Sequence, residues 1–195
     1  MVVHIIGLAL ILVAGSVLIF KSFGQVNGAL AVGVTAYVCC ALASNLASWA
    51  YHFAPWHDRR LLLRRVDHAA IYPSITGTFT PFFLYANTTW TLSLLAICWS
   101  LTAVAMWKKI TDERVKSRWS TASYLGLGAI GLCALPDLAV VSSDVLFYII
   151  GGSACYVIGT AFYIRKEMPY RYALWHSWVN FGGILMFCGV WMALF

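Results

Sequence analysis

Three polar residues that are far apart in the sequence could together form a metal site. His52, Asp67 and His176 each lie at the end of a long apolar stretch. Imidazole nitrogen and carboxylate oxygen are ligands that Zn²⁺ takes in proteins, and a catalytic zinc site keeps one position open for water. Zinc makes a hydroxide nucleophile available near neutral pH. The three residues therefore predict a zinc site with hydrolytic chemistry.

Two nearby residues have the spacing needed to assist such a site. Ser48 and His52 are four residues apart, as are Tyr172 and His176. Residues with this spacing share one face of a helix. We expect Ser48 to position the attacking water or the forming oxyanion, and Asp67 either to bind the metal or to act as the general base.

Two further histidines have simpler interpretations. His4 opens the first apolar stretch and His68 follows Asp67 directly. A lone histidine near a membrane surface is commonly hydrogen-bonded at the interface or caps a helix. We favour that interpretation for both residues.

The composition defines the elements that must position these residues. The chain has 195 residues, of which 62% are hydrophobic and 10% are charged, whereas soluble domains average about 45–50% and 25%. A soluble globular protein and a disordered one are both excluded. Seven apolar segments are long enough to cross the roughly 30 Å hydrocarbon core of a bilayer as helices. They cover residues 4–20, 27–51, 68–86, 89–107, 120–141, 145–164 and 173–194. The sequence thus predicts an all-α bundle of seven transmembrane helices in a single domain, 1–195.

The basic residues predict the orientation of the bundle. The second, fourth and sixth loops carry four, five and three Lys or Arg residues, while the other loops carry only Lys21. Short basic loops stay in the cytoplasm, so we expect a cytoplasmic N-terminus and an external C-terminus. This placement explains the net charge of +6 without a nucleic-acid partner. We therefore expect a multi-pass protein of the inner (plasma) membrane with membrane lipids as partners, and the oligomeric state stays open.

Several ordered motifs resemble those of a known family. His52 closes an S-x-x-x-H motif, and Asp67 opens a D-H-x-x-I motif. The matching segments are His4–Gly7, Ser48–His52, Asp67–Ile71, Thr76–Pro81, Gly159–Tyr163 and Ala173–His176. In these segments the chain resembles the hemolysin III family, the bacterial relatives of the progestin and adipoQ receptors, and more distantly the alkaline ceramidases. The resemblance implies a seven-helix bundle with a cytoplasmic N-terminus.

The resemblance also implies a zinc ligand set, from which this chain departs at one position. In receptor relatives, the histidine of S-x-x-x-H and two histidines of H-x-x-x-H bind zinc, with the aspartate nearby through water. The corresponding residues here are His52, Tyr172, His176 and Asp67. Tyr172 is a poor ligand because its phenol keeps its proton at neutral pH, and Met186 stands where the family has a further histidine.

Three outcomes stay open at this point. Asp67 binds the metal directly, the metal binds more weakly, or this chain holds no metal. If zinc is bound, we expect Tyr172 to act from outside the ligand set, donating a hydrogen bond to Asp67 or to the water on the metal.

Several functional classes fit this pattern to different degrees. The first is a zinc-dependent hydrolase of a lipid amide or ester, and the second is a non-enzymatic membrane sensor or regulator in which the polar cluster ties helices together. A lytic pore is disfavoured because no apolar segment carries a polar stripe that could line a channel. A retinal-binding protein is excluded because all the lysines lie outside the apolar segments. The sequence does not decide whether the protein is an enzyme.

The orientation can be tested with a reporter fused after Phe195. Because the even-numbered loops carry twelve of the 13 basic residues, we expect the reporter to be exported. Alkaline phosphatase should be active at this position and a cytoplasm-dependent fluorescent reporter should not. A fusion within the loop at residues 57–65 is the matched cytoplasmic control. A cytoplasmic reporter at residue 195 would contradict both the count of seven segments and the orientation.

Overall fold

The structure is entirely helical over the residues that it describes. The computed structural model describes residues 2–111, 117–139 and 143–195, without the side chains of residues 117, 118 and 139, and these ranges contain no strand. The helices are α1 (Val2–Gln25), α2 (Gly28–Phe53), α3 (Arg60–Ala86), α4 (Thr89–Thr111), α5 (Ser117–Leu132), α6 (Leu135–Ala139), α7 (Ser143–Ile164) and α8 (Arg171–Leu194). The predicted all-α class is confirmed.

Five of the described helices are long and apolar enough to cross a membrane. They are α1, α2, α4, α7 and α8. The predicted third segment, 68–86, lies inside α3, which has sufficient length but carries more polar residues than the other five. The predicted fifth segment, 120–141, covers α5 and α6, and its last two residues lie outside the described ranges. The count of seven spans stays a prediction.

The predicted fifth segment is interrupted rather than continuous. Helix α5 ends at Leu132, and a turn at residues 133–134 precedes the short helix α6. Pro136 is the second residue of α6. Because proline has no backbone N–H and is tolerated in the first turn of a helix, the chain restarts a helix there. Trp90 secures this turn by donating a hydrogen bond from Nε1 to the Cys133 carbonyl oxygen, at 3.0 Å.

Local signals define several other helix ends. Asn27 precedes α2, and its side-chain oxygen accepts a hydrogen bond from the Leu30 N–H at 3.0 Å, which satisfies one of the unpaired amides at the start of the helix. Asn87 ends α3 in the left-handed conformation, with a φ of 50°, as residues after a helix C-terminus commonly do.

Helix α3 is polar because other helices surround it. It contacts α2, α4, α5, α6 and α8, and its hydroxyl groups bind partners within the bundle. The Thr76 and Thr102 hydroxyls lie 2.7 Å apart, and Trp99 donates a hydrogen bond from Nε1 to the Thr80 hydroxyl at 3.2 Å. A helix enclosed in this way needs no apolar outer surface, which explains why its hydropathy is lower than that of its neighbours.

Helix α1 shows the opposite pattern, with a broad apolar face turned away from the protein. Its exposed side chains include Val2, Ile5, Ile6, Leu12, Val13, Val17 and Phe20. Such a patch would cause aggregation in water but suits a lipid environment. Near the end of α1, the Lys21 ammonium lies 4.0 Å from the centroid of the Trp191 ring and 4.3 Å from that of Phe195. These cation–π contacts attach α1 to the last turns of α8.

Helices α7 and α8 approach each other closely through two glycines. A Cβ atom at Gly182 would lie 2.9 Å from Cε1 of Tyr156 and 3.1 Å from the Gly152 carbonyl oxygen. Small residues at helix contacts allow backbones to come together in membranes, where packing is a principal source of association energy. The pair therefore fixes the distance between α7 and α8.

We predict that Gly182→Ala destabilises the bundle, whereas Gly183→Ala does not. The new methyl at residue 182 forces the two helices apart, at a cost of about 1–3 kcal/mol. A Cβ at Gly183 meets only the Tyr156 hydroxyl, 4.0 Å away, so this control should be neutral or should gain up to about 1 kcal/mol of helix propensity. Thermal unfolding of both variants in detergent measures the difference. Equal melting temperatures would show that the close contact does not limit the packing.

Candidate metal centre

Three histidine side chains meet at one end of the bundle. His4 comes from α1, His52 from α2 and His176 from α8. One ring nitrogen from each lies within 4.8 Å of the others. The ring centroids of His4 and His176 are 4.2 Å apart, and that of His52 lies 5.2 Å from His4 and 5.7 Å from His176. Three helix ends separated by most of the sequence thus form one cluster of imidazoles, which we call the histidine cluster.

The histidine cluster depends on the close approach of α1 to α2 and α8 at Gly7. A Cβ atom at this position would lie 2.7 Å from Oδ1 of Asn180 and 2.9 Å from Oδ1 of Asn45. Asn180 also donates a hydrogen bond from Nδ2 to the Val3 carbonyl oxygen, at 3.0 Å. These contacts hold the first turn of α1 in place, and that turn carries His4.

One ring nitrogen in the histidine cluster lacks a protein partner. Nδ1 of His4 is buried and accepts or donates no hydrogen bond within the described part of the chain, whereas Nε2 of the same ring lies 3.4 Å from the Ser48 hydroxyl oxygen. A buried polar atom without a partner costs free energy, and a bound ion is one way in which proteins satisfy such an atom. The residues therefore fit a metal bound by imidazole nitrogens.

Ser48 connects the histidine cluster to Asp67. The Ser48 side chain is buried, with 7% of its surface exposed, and it hydrogen-bonds to the Asp67 carboxyl as well as contacting His4. Asp67 lies in the wall of the same cavity as His52 and His176. It does not belong to the group of side chains whose ligand atoms lie within 4.8 Å of one another.

The structure thus brings together two of the three residues predicted as ligands and adds one that the sequence pattern assigned elsewhere. His52 and His176 are in the histidine cluster together with His4, and Asp67 is not part of this group. The sequence favoured an interfacial or capping role for His4. The signal that could have identified it is the matching segment His4–Gly7 at the start of α1, since Gly7 is the residue that permits the close approach.

Tyr172 lies beside the histidine cluster, with its hydroxyl turned towards a neighbour in sequence. Its ring centroid is 6.0 Å from that of His52, and its side chain lines the same cavity as His176. The Tyr172 hydroxyl accepts a hydrogen bond from Nη2 of Arg171 at 2.7 Å, and the guanidinium carbon lies 4.5 Å from the ring centroid. The phenol is therefore held at the edge of the cavity by Arg171.

A cavity of about 620 Å³ extends from the histidine cluster into the bundle. This volume falls within the range of small-molecule sites. Its wall near the cluster is polar, with Ser48, Asp67 and Asn180. The remainder includes the apolar side chains Ile71, Ile75, Phe79, Leu125, Leu132, Val157, Val179 and Met186. Met186 lies ten residues beyond His176 on α8, about 15 Å along the helix axis, so the cavity combines a polar end with a deep apolar section.

Comparison with known proteins assigns the chain to a family. The family model described as haemolysin-III related matches residues 1–187. The chain belongs to the hemolysin III family. It is 34% identical over 158 residues to a protein of Bacillus subtilis (strain 168) named hemolysin-3 homolog, and the match covers 80% of this chain and 74% of that protein. Hemolysin-3 of Bacillus cereus is 29% identical over 190 residues, or 95% of this chain and 86% of the relative.

The assignment confirms the resemblance predicted from the motifs. Together with the apolar helices, membership in the hemolysin III family identifies a multi-pass membrane protein. Within this hemolysin III protein, the three imidazoles offer a nitrogen donor set that suits Zn²⁺ and other borderline transition metals.

Replacing Gly7 with alanine should weaken metal binding by the histidine cluster. The added methyl would displace the side-chain amides of Asn45 and Asn180, and their loss of position would loosen the contacts that hold the first turn of α1, with His4, beside the other two rings. Because changes beside the ligands commonly cost about 10–100-fold in affinity, we expect a loss of this size. Titration of the purified metal-free protein with Zn²⁺ measures it. Gly24→Ala, on the same helix with nothing within 4 Å, is the control, and equal affinities would contradict a role for His4.

Proposed function

We propose that this hemolysin III protein is a zinc-dependent hydrolase of a lipid amide or ester in the inner (plasma) membrane. The proposal includes seven membrane-spanning helices, a cytoplasmic N-terminus and an external C-terminus, so that the histidine cluster faces the cytoplasmic side. The observation that carries it is the histidine cluster with an unpartnered buried nitrogen, at the polar end of a cavity with apolar depth.

The histidine cluster would hold the metal through His4, His52 and His176. When bound, zinc supplies Lewis acidity and a water nucleophile at neutral pH. Three protein ligands with a fourth position for water or substrate is the usual arrangement of a catalytic zinc site. In this arrangement Asp67 is not a ligand and is available for proton transfer.

Asp67 is the residue placed to act as general base. Its carboxyl shares the cavity wall with His52 and His176 and is hydrogen-bonded to Ser48. Asp67 would accept a proton as the water oxygen forms its bond to the substrate carbonyl carbon. As the carbon–nitrogen or carbon–oxygen bond breaks, the proton passes from Asp67 to the leaving amine or alcohol. Ser48, between Asp67 and His4, would orient the carboxyl for both steps.

The apolar section of the cavity supports a lipid substrate. Phe79, Leu132 and Met186 line its interior, and burial of a hydrocarbon chain there would contribute about 0.8 kcal/mol per CH₂ group. With the chain inside, the carbonyl group of an amide or ester would be held near the polar end. Membrane lipids are the natural source of such a substrate.

A non-enzymatic sensor or regulator is the alternative, and one observation favours it. The histidine cluster draws one ring from each of α1, α2 and α8, so a bound metal would join three helices. Such a site could stabilise one arrangement of the bundle without chemistry. Metal analysis and hydrolysis assays on the same preparations separate the two functions.

Zinc content is the first measurement. We expect purified wild-type protein to hold one zinc per chain, and His4→Ala, His52→Ala and His176→Ala each to lose it because two imidazoles bind zinc weakly. His57→Ala is the matched control, since His57 lies exposed in a short 3-10 turn outside the histidine cluster. A wild-type protein without zinc after purification in zinc-containing medium would contradict the metal site.

Hydrolysis is measured on the same set of proteins together with Asp67→Asn. Incubation with long-chain N-acyl amides and acyl esters should release fatty acid with the wild-type protein. Asp67→Asn should keep its zinc but lose about 10²–10⁴-fold in rate, the usual contribution of a general base. If the wild-type protein holds zinc and hydrolyses none of these lipids, the sensor or regulator is the better description.

A further inference from the structure

The cavity ends at one level inside the bundle, which we call the floor. Over the part of the chain that the structure describes, five helices line the cavity, and on each of them one lining residue lies farthest from the histidine cluster. These floor residues are Ser44 of α2, Phe79 of α3, Leu132 of α5, Ser153 of α7 and Met186 of α8.

The floor lies about one membrane leaflet away from the histidine cluster. On α8, Met186 is ten residues from His176, which corresponds to about 15 Å along the helix axis. On α3, Phe79 is twelve residues from Asp67, or about 18 Å. The hydrocarbon core of a bilayer is roughly 30 Å thick, so that one leaflet measures about 15 Å. The hydrocarbon chain of an ordinary membrane lipid therefore fits between the histidine cluster and the floor.

Closely packed side chains lie beyond the floor. Gly189 and Val190 follow Met186 by one turn of α8. A Cβ atom at Gly189 would lie 3.0 Å from Cβ of Tyr148 and 3.2 Å from Cζ of Phe82, and Val190 is fully buried. Because protein interiors at this density yield little to an added group, a longer chain cannot extend past the floor without displacing the core.

Hydroxyl groups in the cavity wall near the floor are bonded within their own helices. The Thr78 hydroxyl donates a hydrogen bond to the Ser74 carbonyl oxygen at 2.7 Å, and the Thr160 hydroxyl donates one to the Tyr156 carbonyl oxygen at 2.8 Å. A hydroxyl whose proton is used by its own backbone does not require a polar ligand. This part of the wall therefore suits a hydrocarbon chain.

The aromatic floor residue, Phe79, is held in place from two sides. Its ring stacks on that of Phe83, with the centroids 5.6 Å apart and the planes inclined by 17°. The edge of the ring lies against Gly131 of α5, where a Cβ atom would have no room. Phe79 is therefore a rigid part of the floor.

Met186 is bounded by a glycine on the neighbouring helix. A Cβ atom at Gly152 of α7 would lie 3.0 Å from Cγ and 3.1 Å from Cε of Met186. The thioether chain thus occupies the space that a side chain at residue 152 would otherwise take. Because methionine is unbranched and fills irregular gaps, the space that it fills here becomes available when its side chain is shortened.

We propose that Met186 sets the length of the hydrocarbon chain that the cavity accepts, a role that rests on the proposed function for its lipid ligand. The proposed hydrolase then selects lipids whose acyl chain spans about one leaflet. Met186 contacts the end of the chain while the carbonyl group lies at the histidine cluster, so that it determines specificity without taking part in the chemistry.

The test is a series of ligands that differ only in chain length. Purified wild-type and variant proteins in one neutral detergent are titrated by calorimetry with saturated fatty acids of about 8 to about 20 carbons, a range that brackets one leaflet. These probes carry the chain of the proposed substrate and have no bond to hydrolyse. Because all the proteins compete with the same micelles, the ratio of variant to wild-type affinity at each chain length cancels the partition into detergent.

Shortening Met186 should raise the affinity for long chains alone. We expect Met186→Ala to bind short chains as the wild-type protein does, and to bind chains that exceed the wild-type limit about 10-fold more tightly. The reason is that each CH₂ group that finds room contributes about 4-fold in affinity, and the vacated space is only partly refilled by its surroundings. A ratio that is the same at every chain length would overturn the proposal.

Three further variants separate the length limit from effects on folding. Met186→Leu conserves the volume of the side chain and should keep the wild-type limit. Met192→Ala removes the same atoms from an exposed position on α8 and should also keep it, so an equal gain for long chains in this control would overturn the role of Met186. Met186→Val removes fewer atoms and should extend the limit less. If Met186→Ala does not fold, a constant ratio in Met186→Val would overturn the proposal in its place.

The length limit can be measured whether or not the protein is a hydrolase. It should persist in His52→Ala, which lacks the metal site, so the proposed hydrolase can fail while the limit remains. A wild-type protein that binds none of the fatty acids would overturn the placement of a hydrocarbon chain in the cavity, even if the protein holds zinc.

Discussion

The structure depends on one constraint, which is that polar groups carried into the hydrocarbon core must find partners inside the protein. Helix α3 carries many of these groups. Its Tyr72 hydroxyl lies 2.7 Å from that of Ser123, and Thr76 pairs with Thr102 in the same way. Each bond joins α3 to a different helix, so α4 and α5 are positioned by the polar residues of α3. The cavity lies against the same helix, which contributes Asp67, Ile71 and Phe79 to its wall.

The same constraint decides which parts of the fold could be predicted from the sequence. Apolar runs locate helices that face lipid, and the segments at 27–51 and 89–107 correspond well to α2 (Gly28–Phe53) and α4 (Thr89–Thr111). Apolar runs give less information about the bounds of a helix that faces other helices or extends beyond the membrane. Helix α3 begins at Arg60, eight residues before the predicted segment, because a helix needs hydrogen bonds and not an apolar surface to continue. The hydropathy pattern likewise gives no sign of the break between α5 and α6 that precedes Pro136.

The sequence could predict those site residues whose role depends only on where they lie along their own helix. His52 and His176 lie near the ends of two apolar segments, and the distribution of basic residues among the loops predicted that these ends lie on the same side of the membrane. The third member of the cluster depends on which helices are neighbours. The spacing of His4 and Gly7 allows a close helix contact but does not identify α2 and α8 as the neighbours of α1. That arrangement is fixed by contacts of Gly7 with Asn45 and Asn180, which are distant in the chain. Helix adjacency is a tertiary property, so the sequence pattern assigned His4 a local role.

Because the three imidazoles come from three different helices, the geometry of the histidine cluster depends on how those helices pack. With histidines at both 172 and 176, a single helix would fix two ligands in advance, since residues four apart share a face. With Tyr172 bound to Arg171 and His4 in the cluster instead, each ring comes from a different helix, and their arrangement is only as stable as the packing of α1. That helix has a broad apolar outer face, and its polar attachments to α8 are concentrated at its two ends, through Asn180 and through Lys21 over Trp191. The contacts that seat α1 therefore determine whether the three nitrogens can act together, and a metal bound to them would in turn fasten α1 to the bundle.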